Sequence, residues 1–163
     1  MNDQSGPGVG APLNPVSDES VVVGHDGSVG ADVALLTALE LADQLQAPVV
    51  LVRAWSIATA PCPADWTFGY VSSSDELQKA VLEELVTGTE GCISRFPDVA
   101  ISYLALQGNP TRSLIELSRT ARMLVVGSRG IGGFAEMVLG SVSDQSVRYA
   151  RCPVLVVKNS RAI

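Results

Sequence analysis

Positively charged residues are scarce in this sequence of 163 residues, which has 11 Lys and Arg against 17 Asp and Glu and a net charge of −6. The cations are scattered, and no run of them could follow a phosphodiester backbone, so we expect no nucleic-acid partner. The only lysines are Lys79 and Lys158, and neither lies in a glycine-rich Walker A loop. The sequence therefore argues against a P-loop nucleotidase and against a nucleic-acid-binding protein.

Cysteines and long apolar runs are also scarce. The three cysteines, Cys62, Cys92 and Cys152, are odd in number, widely spaced and free of a CxxC pattern, which is typical of reduced, mostly buried thiols inside a cell. No apolar run reaches the roughly 18 residues that a membrane span needs, and no basic and then apolar segment opens the chain. We therefore expect a cytoplasmic protein with no membrane partner.

Aromatic residues make up only 5% of the chain, although 47% of it is hydrophobic. The core must therefore consist of Val, Leu, Ile and Ala, which favours a parallel sheet covered by helices. The length allows one domain, which we place at residues 19–159. Residues 1–18 hold three glycines and three prolines without apolar periodicity and are predicted to be a disordered tail, and residues 160–163 are a short C-terminal tail.

Strand-like and helix-like segments alternate along this domain, as in an α/β protein with a parallel sheet and right-handed crossovers. β-branched runs predict strands, and apolar residues at helical spacing predict helices. The predicted strands are Val21–Gly24, Val49–Trp55, Ala100–Leu106, Met123–Val126 and Pro153–Val157, and the predicted helices are Ala31–Gln46, Asp75–Phe96, Pro110–Thr120 and Ser141–Ala150. The intervening long loop, Ser56–Ser74, contains the sequence WTFGY (Trp66–Tyr70), which either folds over a pocket or contacts another subunit.

Two glycine-containing turns follow the first and fourth predicted strands. They read GHDGS and GSRG. In a parallel sheet, ligands bind beyond the carboxyl ends of the strands, where the winding direction changes. If these two strands are neighbours, both turns face one crevice, and a ligand lies against the backbone of Gly127 and Gly130.

The residues after the second turn suit a nucleotide. Gly140 and Ser141 begin the last helix, whose N–H groups and positive dipole end favour an anion, and the hydroxyls of Ser141 and Ser143 add donors. Asp26, at the end of the first strand, could accept hydrogen bonds from ribose hydroxyls. Alternatively, the glycines form tight turns only, Ser141 is an ordinary helix cap, and Asp26 bonds to its own backbone.

The spacing of these residues resembles a known signature. Gly127, two residues, Gly130, nine residues and then Gly140-Ser141 is similar to the nucleotide-binding signature of the universal stress protein family. The segment VVVGHDGS resembles the first strand of that family, SVSDQSVRYARCPVLVV its closing helix and strand, and GNP the turn before its third helix. The resemblance extends from Val21 to Lys158.

This resemblance implies a Rossmann-like, adenine nucleotide alpha hydrolase-like sandwich with a five-stranded parallel sheet in the order 3-2-1-4-5. It also implies ATP binding, with Gly24, Ala54 and Val126 lining the adenine pocket and Asp26 holding the ribose. The residues expected to wrap the phosphates are Gly127, Arg129, Gly130, Gly140, Ser141, Val142 and Ser143. A homodimer is expected along the last strand, Pro153–Val157, because that apolar edge is unpaired and the resemblance points the same way.

Other motifs are weaker. GIGGFA (Gly130–Ala135) matches the dinucleotide fingerprint, but only one strand follows it and no acidic residue ends that strand. His25, Asp26 and Ser28 are too close in an extended segment to form a catalytic triad. No second histidine is available to join His25 in a metal site, so we expect a structural or pocket-lining role for its ring.

These observations favour a nucleotide-binding stress or signalling protein over an enzyme. ATP, with Mg²⁺ from the solvent, would change the conformation or the choice of partner. Asp26 is assigned to the ribose, and neither Asp144 nor Glu136 has a clear direction toward a γ-phosphate, so no general base is evident. The alternatives are a slow ATP hydrolase and a member of the family that binds a cyclic nucleotide such as cAMP.

Overall fold

A computed structural model describes residues 15–61, 72–131 and 139–159 of the chain. Four sets of sequence predictions fall wholly or partly outside these ranges. They concern residues 1–14 of the predicted tail, the WTFGY segment with Cys62, residues 132–138 including most of GIGGFA, and residues 160–163. The rest of the predicted domain can be compared with the structure directly.

Five strands and four helices alternate along the described chain. They are β1 (Val21–Gly24), α1 (Val29–Leu45), β2 (Val49–Trp55), α2 (Ser74–Ile93), β3 (Ile101–Gln107), α3 (Pro110–Leu117), β4 (Met123–Gly127), α4 (Ser141–Tyr149) and β5 (Val154–Val157). The strands form one parallel sheet in the order β3-β2-β1-β4-β5. The predicted α/β class and strand order are therefore confirmed.

Side-chain caps explain where three helices begin. The Ser28 hydroxyl accepts the N–H of Ala31, so α1 begins at Val29 and not at Ala31 as predicted. Ser73 forms a capping box with Glu76 at the start of α2. Asn109 caps α3 with Pro110 in its first turn, as the GNP sequence predicted.

The ends of α2 and α3 were each predicted three residues too late. After both helices the backbone continues in i→i−3 bonds, from Phe96 to Ile93 and from Thr120 to Leu117. These tighter turns bond the last carbonyl groups of a helix without extending its α-helical ladder. Helical spacing in the sequence cannot distinguish such a turn from a further turn of α-helix.

Aliphatic side chains cover both faces of the sheet. Val21, Val23 and Leu51 face α1 and α2, whereas Val22, Val50, Val52, Leu124 and Val126 face α3 and α4. Val16, which falls in the predicted tail, is only 8% exposed and packs in the second cluster. The packed chain thus extends at least to Val16, three residues before the predicted start of the domain at residue 19.

The two described cysteines, Cys92 and Cys152, are free and half-buried, and burial raises the pKa of both thiols. A raised thiol pKa means that little reactive thiolate forms near neutral pH. None of the helices in the described part of the chain combines the length and apolarity needed to span a bilayer.

Candidate functional site

A cleft of about 600 Å³ opens at the carboxyl ends of β1, β2 and β4. Because β1 lies between β2 and β4, the turns after β1 and β4 face each other there. All eleven residues that were expected to bind a ligand, some of them only from the family resemblance, line this cleft: Gly24, Asp26, Ala54, Val126, Gly127, Arg129, Gly130, Gly140, Ser141, Val142 and Ser143. The expected juxtaposition of the two glycine turns is therefore confirmed.

One side of the cleft is apolar. Gly24 is the last residue of β1, and Ala54 and Val126 are the next-to-last residues of the adjacent strands β2 and β4, on the sheet face that carries α3 and α4. Leu114 of α3 packs directly over Gly24, since a Cβ placed there would lie 2.8 Å from Leu114 Cδ1. These groups form a flat apolar wall of the kind that suits one face of a planar ring.

Contacts within the protein already require glycine in the turn after β4. A Cβ on Gly127 would lie 2.9 Å from the carbonyl oxygen of Gly30, and a Cβ on Gly30 would lie 2.9 Å from that of Arg129. The turn therefore packs backbone against backbone on the start of α1. Gly127 must therefore be glycine for a reason that does not depend on a ligand.

Asp26 joins the two turns. Its Oδ1 accepts the N–H of Ser28 at 3.0 Å, and its Oδ2 accepts the N–H of Ile131, 105 residues further along the chain, also at 3.0 Å. A Cβ on Gly130 would collide with the same Oδ2. The local turn bond that we weighed as an alternative is thus present, and a second bond ties the turn after β4 to the turn after β1.

The N-terminus of α4 points into the other side of the cleft. The N-cap is Gly140, which has no side chain to satisfy the first N–H groups of the helix. Those groups have no intrahelical partner, and they carry the positive end of the helix dipole. A Cβ on Gly140 would lie 3.5 Å from its nearest neighbour, the carbonyl oxygen of Ser128, which is ordinary van der Waals contact.

The two serines at this helix start differ. The Ser141 residue is exposed at the cleft. Ser143 is only 1% exposed, and its hydroxyl donates to the carbonyl oxygens of Ser128 at 3.1 Å and Gly140 at 2.9 Å. The prediction of a Ser143 hydroxyl donor for the ligand is therefore wrong in this conformation, because that hydrogen is used to hold the loop before α4.

Two arginines line the cleft. Arg129 is exposed beside the glycine turn, as predicted. Arg53, near the end of β2, was not predicted; its side chain is 15% exposed and lies 3.7 Å from a carboxylate oxygen of Glu84 on α2. A basic residue in an otherwise apolar strand was the available signal for this second cation.

Other lining residues also escaped the sequence analysis. Trp55 ends β2, and the N-terminal region of α3 contributes Gly108, Pro110 and Leu114. The GNP sequence was recognised only as a helix start, although it follows a strand whose carboxyl end lies on the same edge of the sheet. Because ligands bind beyond the carboxyl ends of parallel strands, the GNP sequence could have been predicted to line the cleft.

His25 lies at the base of the cleft and is 6% exposed. Its Nε2 bonds to Oδ1 of Asp32 at 3.0 Å, and its Nδ1 accepts the N–H of Gly27 at 3.2 Å. Burial lowers the pKa of His25 below 6.5, so the ring is neutral at neutral pH despite its acidic neighbour. The expected structural and pocket-lining role is confirmed, and no cluster of three metal-ligating side chains occurs among the described residues.

Comparison with known proteins places this chain in a family. The model of the universal stress protein family matches residues 19–158. Universal stress protein Rv2623 of Mycobacterium tuberculosis strain H37Rv is 34% identical over 142 residues, which cover 86% of this chain and 45% of the relative. The chain thus spans less than half the length of these curated relatives, about 45% of each.

Solved structures show the same architecture. A universal stress protein in complex with cAMP is 26% identical, has a TM-score of 0.61 and is aligned over 87% of this chain and 98% of its own. The universal stress protein from Archaeoglobus fulgidus in complex with dAMP shares the fold at 18% identity, with a TM-score of 0.52 over 85% of this chain and 95% of its own. The match over residues 19–158 and the identity to curated members show that this chain belongs to the universal stress protein family.

Proposed function

We propose that this chain binds an adenine nucleotide in the cleft between the turns after β1 and β4, and that the nucleotide is ATP with Mg²⁺. The observation that carries the proposal is the convergence of all eleven expected residues on one cleft. The cleft has an apolar wall on one side and an open helix N-terminus on the other. A flat apolar wall and an anion-binding helix end are the two features that a base and its phosphates require.

Each part of the nucleotide has a counterpart in the cleft. The adenine would lie against Gly24, Ala54 and Val126, and the ribose hydroxyls would donate to Asp26. The phosphates would accept N–H groups from the turn after β4 and from the start of α4. This set comprises Gly127, Arg129, Gly130, Gly140, Ser141, Val142 and Ser143, with Ser143 contributing through its backbone.

The Mg²⁺ ion would be held by the phosphates. No group of three metal-ligating side chains lies together in residues 15–61, 72–131 and 139–159. Mg²⁺ commonly keeps several water ligands and binds through substrate phosphates. The ion would therefore arrive with ATP and partly neutralise its charge, and Arg129 supplies a further positive charge at the cleft.

We propose little or no turnover of ATP. Asp26 is the one carboxylate among the described residues that line the cleft, and both of its oxygens accept backbone N–H groups. Asp144 on α4 is paired with Arg148 through bonds of 3.0 and 3.1 Å. A base that orients an attacking water is thus missing from the described part of the cleft, which supports a binding protein over a hydrolase.

A stress or signalling role would follow from a change in shape on binding. Oδ2 of Asp26 holds the N–H of Ile131 at 3.0 Å. A ribose hydroxyl competing for this oxygen would loosen the turn after β4. That turn contacts the edge strand β5, because the N–H of Ser128 donates to the carbonyl oxygen of Val157 at 2.8 Å. Binding at the cleft could in this way reach the edge of the sheet and alter the choice of partner.

The same edge supports a homodimer through residues 153–157. β5 pairs only with β4 among the described strands, and its side chains are partly buried. The carbonyl of Pro153 accepts the N–H of Leu124 in β4, and that of Val157 accepts the N–H of Ser128, just after β4. In a parallel pair alternate residues bond to the neighbour, so the N–H groups of Val154 and Val156 point outward. An unpaired apolar edge of this kind favours pairing with a second chain.

A cyclic nucleotide is the second candidate. The solved universal stress protein in complex with cAMP is 26% identical to this chain, which supports this candidate. One phosphate and three phosphates could use the same N–H donors at the start of α4. Direct comparison of the two ligands is therefore part of the test.

The test is calorimetric titration of the protein with ATP in the presence of Mg²⁺ and, separately, with cAMP. The informative variant is Gly140→Ala, because its added Cβ fits the ligand-free protein with its nearest contact at 3.5 Å and stands between α4 and the turn after β4. We expect ATP affinity to fall by at least tenfold, about 1.4 kcal/mol. Gly88→Ala on α2 is the matched control, because a Cβ there meets nothing within 4 Å.

Equal ATP affinity in the wild type and a folded Gly140→Ala variant would contradict the phosphate site. Tighter binding of cAMP than of ATP would favour the second candidate. Turnover is measured separately, by single-turnover hydrolysis of labelled ATP with protein in excess. Typical enzymes turn over at roughly 1 s⁻¹ or faster, and we expect a far lower rate. Hydrolysis within seconds that disappears in Gly140→Ala would make the protein an ATPase.

A further inference from the structure

His25 is the first residue after β1, and Asp26 follows it at the cleft. The ring of His25 is buried, with 6% of the residue exposed, yet it carries two polar nitrogens. Buried polar groups of this kind normally have partners within the protein. The partners of this ring connect it to the turn that presents Asp26.

Both ring nitrogens are bonded, and the bonds define where the proton lies. The N–H of Gly27 donates to Nδ1 at 3.2 Å, so Nδ1 is unprotonated. Nε2 therefore carries the hydrogen and donates it to Oδ1 of Asp32 on α1 at 3.0 Å. Gly27 has a φ of +86°, a left-handed conformation that sets the direction of the turn. The ring thus connects the turn after β1 to α1.

We propose that neutral His25 is a positioning residue for the nucleotide: it accepts the N–H of Gly27 and so holds Asp26 toward the ligand, and protonation of Nδ1 releases the turn. The inference rests on the proposed nucleotide site, which it deepens by adding a residue that makes binding sensitive to pH. The chemical reason is direct. A protonated Nδ1 is a donor that faces the N–H of Gly27, so an attraction becomes a repulsion between two donors.

Three charged groups act on the ring, Asp32 on α1, Asp26 in the turn after β1 and Arg53 on β2. Burial is the largest cause and lowers the pKa of His25 below 6.5. The bond and charge of Asp32 on α1 and the charge of Asp26 raise the pKa, whereas Arg53 on β2 lowers it. Arg53 in turn lies 3.7 Å from Glu84 on α2. The lowering by burial prevails, so the turn is held at neutral pH and its release is expected below pH 6.5.

Two substitutions separate the bonds of the ring. His25→Asn places an oxygen close to the position of Nδ1 and can accept the N–H of Gly27, but it is too short to reach Asp32. His25→Gln reaches toward Asp32 and lacks the acceptor near Gly27. Both variants remove the titrating ring and reduce the buried volume, so an effect that is merely structural would appear in both.

The first measurement is ATP affinity by calorimetry at about pH 8, where the ring of the wild type is neutral. We expect His25→Gln to bind ATP at least fivefold more weakly than the wild type, and His25→Asn to recover most of that loss. Circular dichroism and thermal unfolding establish that both variants are folded. Similar losses in the two variants, or no loss in either, would overturn the positioning role.

The second measurement follows pH. ATP phosphates also titrate in this range, so the quantity to compare is the ratio of the affinities of the wild type and His25→Asn, in which the titration of the ligand cancels. The ratio should fall as pH falls below 6.5, by no more than tenfold per pH unit because one proton is involved. The fall should begin at the pH at which the His25 ring titrates in the ligand-free protein and should level off below the pH at which it titrates in the nucleotide-bound protein, both measured by NMR.

A third measurement needs no nucleotide and therefore separates this inference from the proposed function. In the ligand-free protein, the amide of Gly27 should be protected from hydrogen exchange at neutral pH and lose that protection as the His25 ring is protonated. The proposal would be overturned, even if ATP binds well, by either of two results. One is a His25 ring that stays neutral until the protein unfolds, and the other is a Gly27 amide whose hydrogen exchange does not change when the ring is protonated. Failure of ATP to bind at about pH 8 while the Gly27 amide responds as expected would instead refute the nucleotide site, and with it the role of the turn in binding.

Discussion

Replacing Asp26 by Ala is the most informative single change at this site, because the carboxylate has two separable tasks. In the ligand-free protein it accepts the N–H of Ser28 and of Ile131, both at 3.0 Å. In the proposed complex it accepts ribose hydroxyls. The first task concerns the shape of the cleft for any ligand, whereas the second concerns only ligands that contain a ribose.

The magnitude follows from the charge of the acceptor. A hydrogen bond to a charged group contributes about 1.5–3 kcal/mol. The bond from the N–H of Ile131 to Asp26 lies at the surface, where water can replace it. We therefore take the lower end of this range, about 1.5 kcal/mol, as the contribution of one hydrogen bond to Asp26. Loss of a ribose bond at the same value, about 1.5 kcal/mol, corresponds to roughly tenfold in affinity. Asp26→Ala should therefore weaken ATP binding by at least tenfold more than it weakens the binding of inorganic tripolyphosphate.

The assay is calorimetric titration of both ligands into the wild type, Asp26→Ala and a control. Asp43→Asn is a suitable control, because Asp43 is an exposed residue near the C-terminal end of α1 and its substitution makes the same change in net charge. Equal losses for ATP and tripolyphosphate would refute the ribose role and leave Asp26 as a tether between two turns. Unchanged affinity for both ligands in folded Asp26→Ala would refute both tasks.

Four further predictions follow from the contacts. Gly130→Ala should weaken ATP binding, because its Cβ collides with Oδ2 of Asp26; the penalty should shrink in an Asp26→Ala background, and additive penalties in calorimetry would contradict this reason. Gly88→Ala should raise the free energy of unfolding in urea by about 0.5–1 kcal/mol, because helical glycine is unfavourable and the site is open; a loss would contradict it. Val156→Pro should convert a dimer to a monomer of 17.0 kDa in light scattering by removing an outward N–H, and a wild type that is already monomeric would refute the dimer. Because the folded pKa of His25 is lowered, wild-type stability should decline as pH falls below 6.5 and level off below the folded pKa; His25→Asn should lack this step in urea titrations at a series of pH values.

Local sequence determined most of the fold. Period-two and helical patterns gave every described strand and helix its correct type, and the caps Ser28, Ser73 and Asn109 lie where short polar residues precede apolar helical repeats. The ends of α2 and α3 were misplaced, because the competition between an α-turn and a tighter turn depends on packing after the helix. The strand order came from a family resemblance and not from the local patterns.

The sequence by itself placed the turns after the first and fourth strands at one edge of the sheet, since the carboxyl ends of parallel strands share an edge. The family resemblance supplied the rest: that these two strands are neighbours, and that Gly24, Ala54 and Val126 line the cleft. Only the tertiary structure decided what those residues do to one another. Gly127 and Gly130 are restricted by Gly30 and Asp26, and the Ser143 hydroxyl is turned onto its own loop. Such contacts join positions up to about a hundred residues apart, as Asp26 and Ile131 show. The number of residues between two such positions does not give the distance between them in the fold. Only the folded backbone could therefore assign these partners.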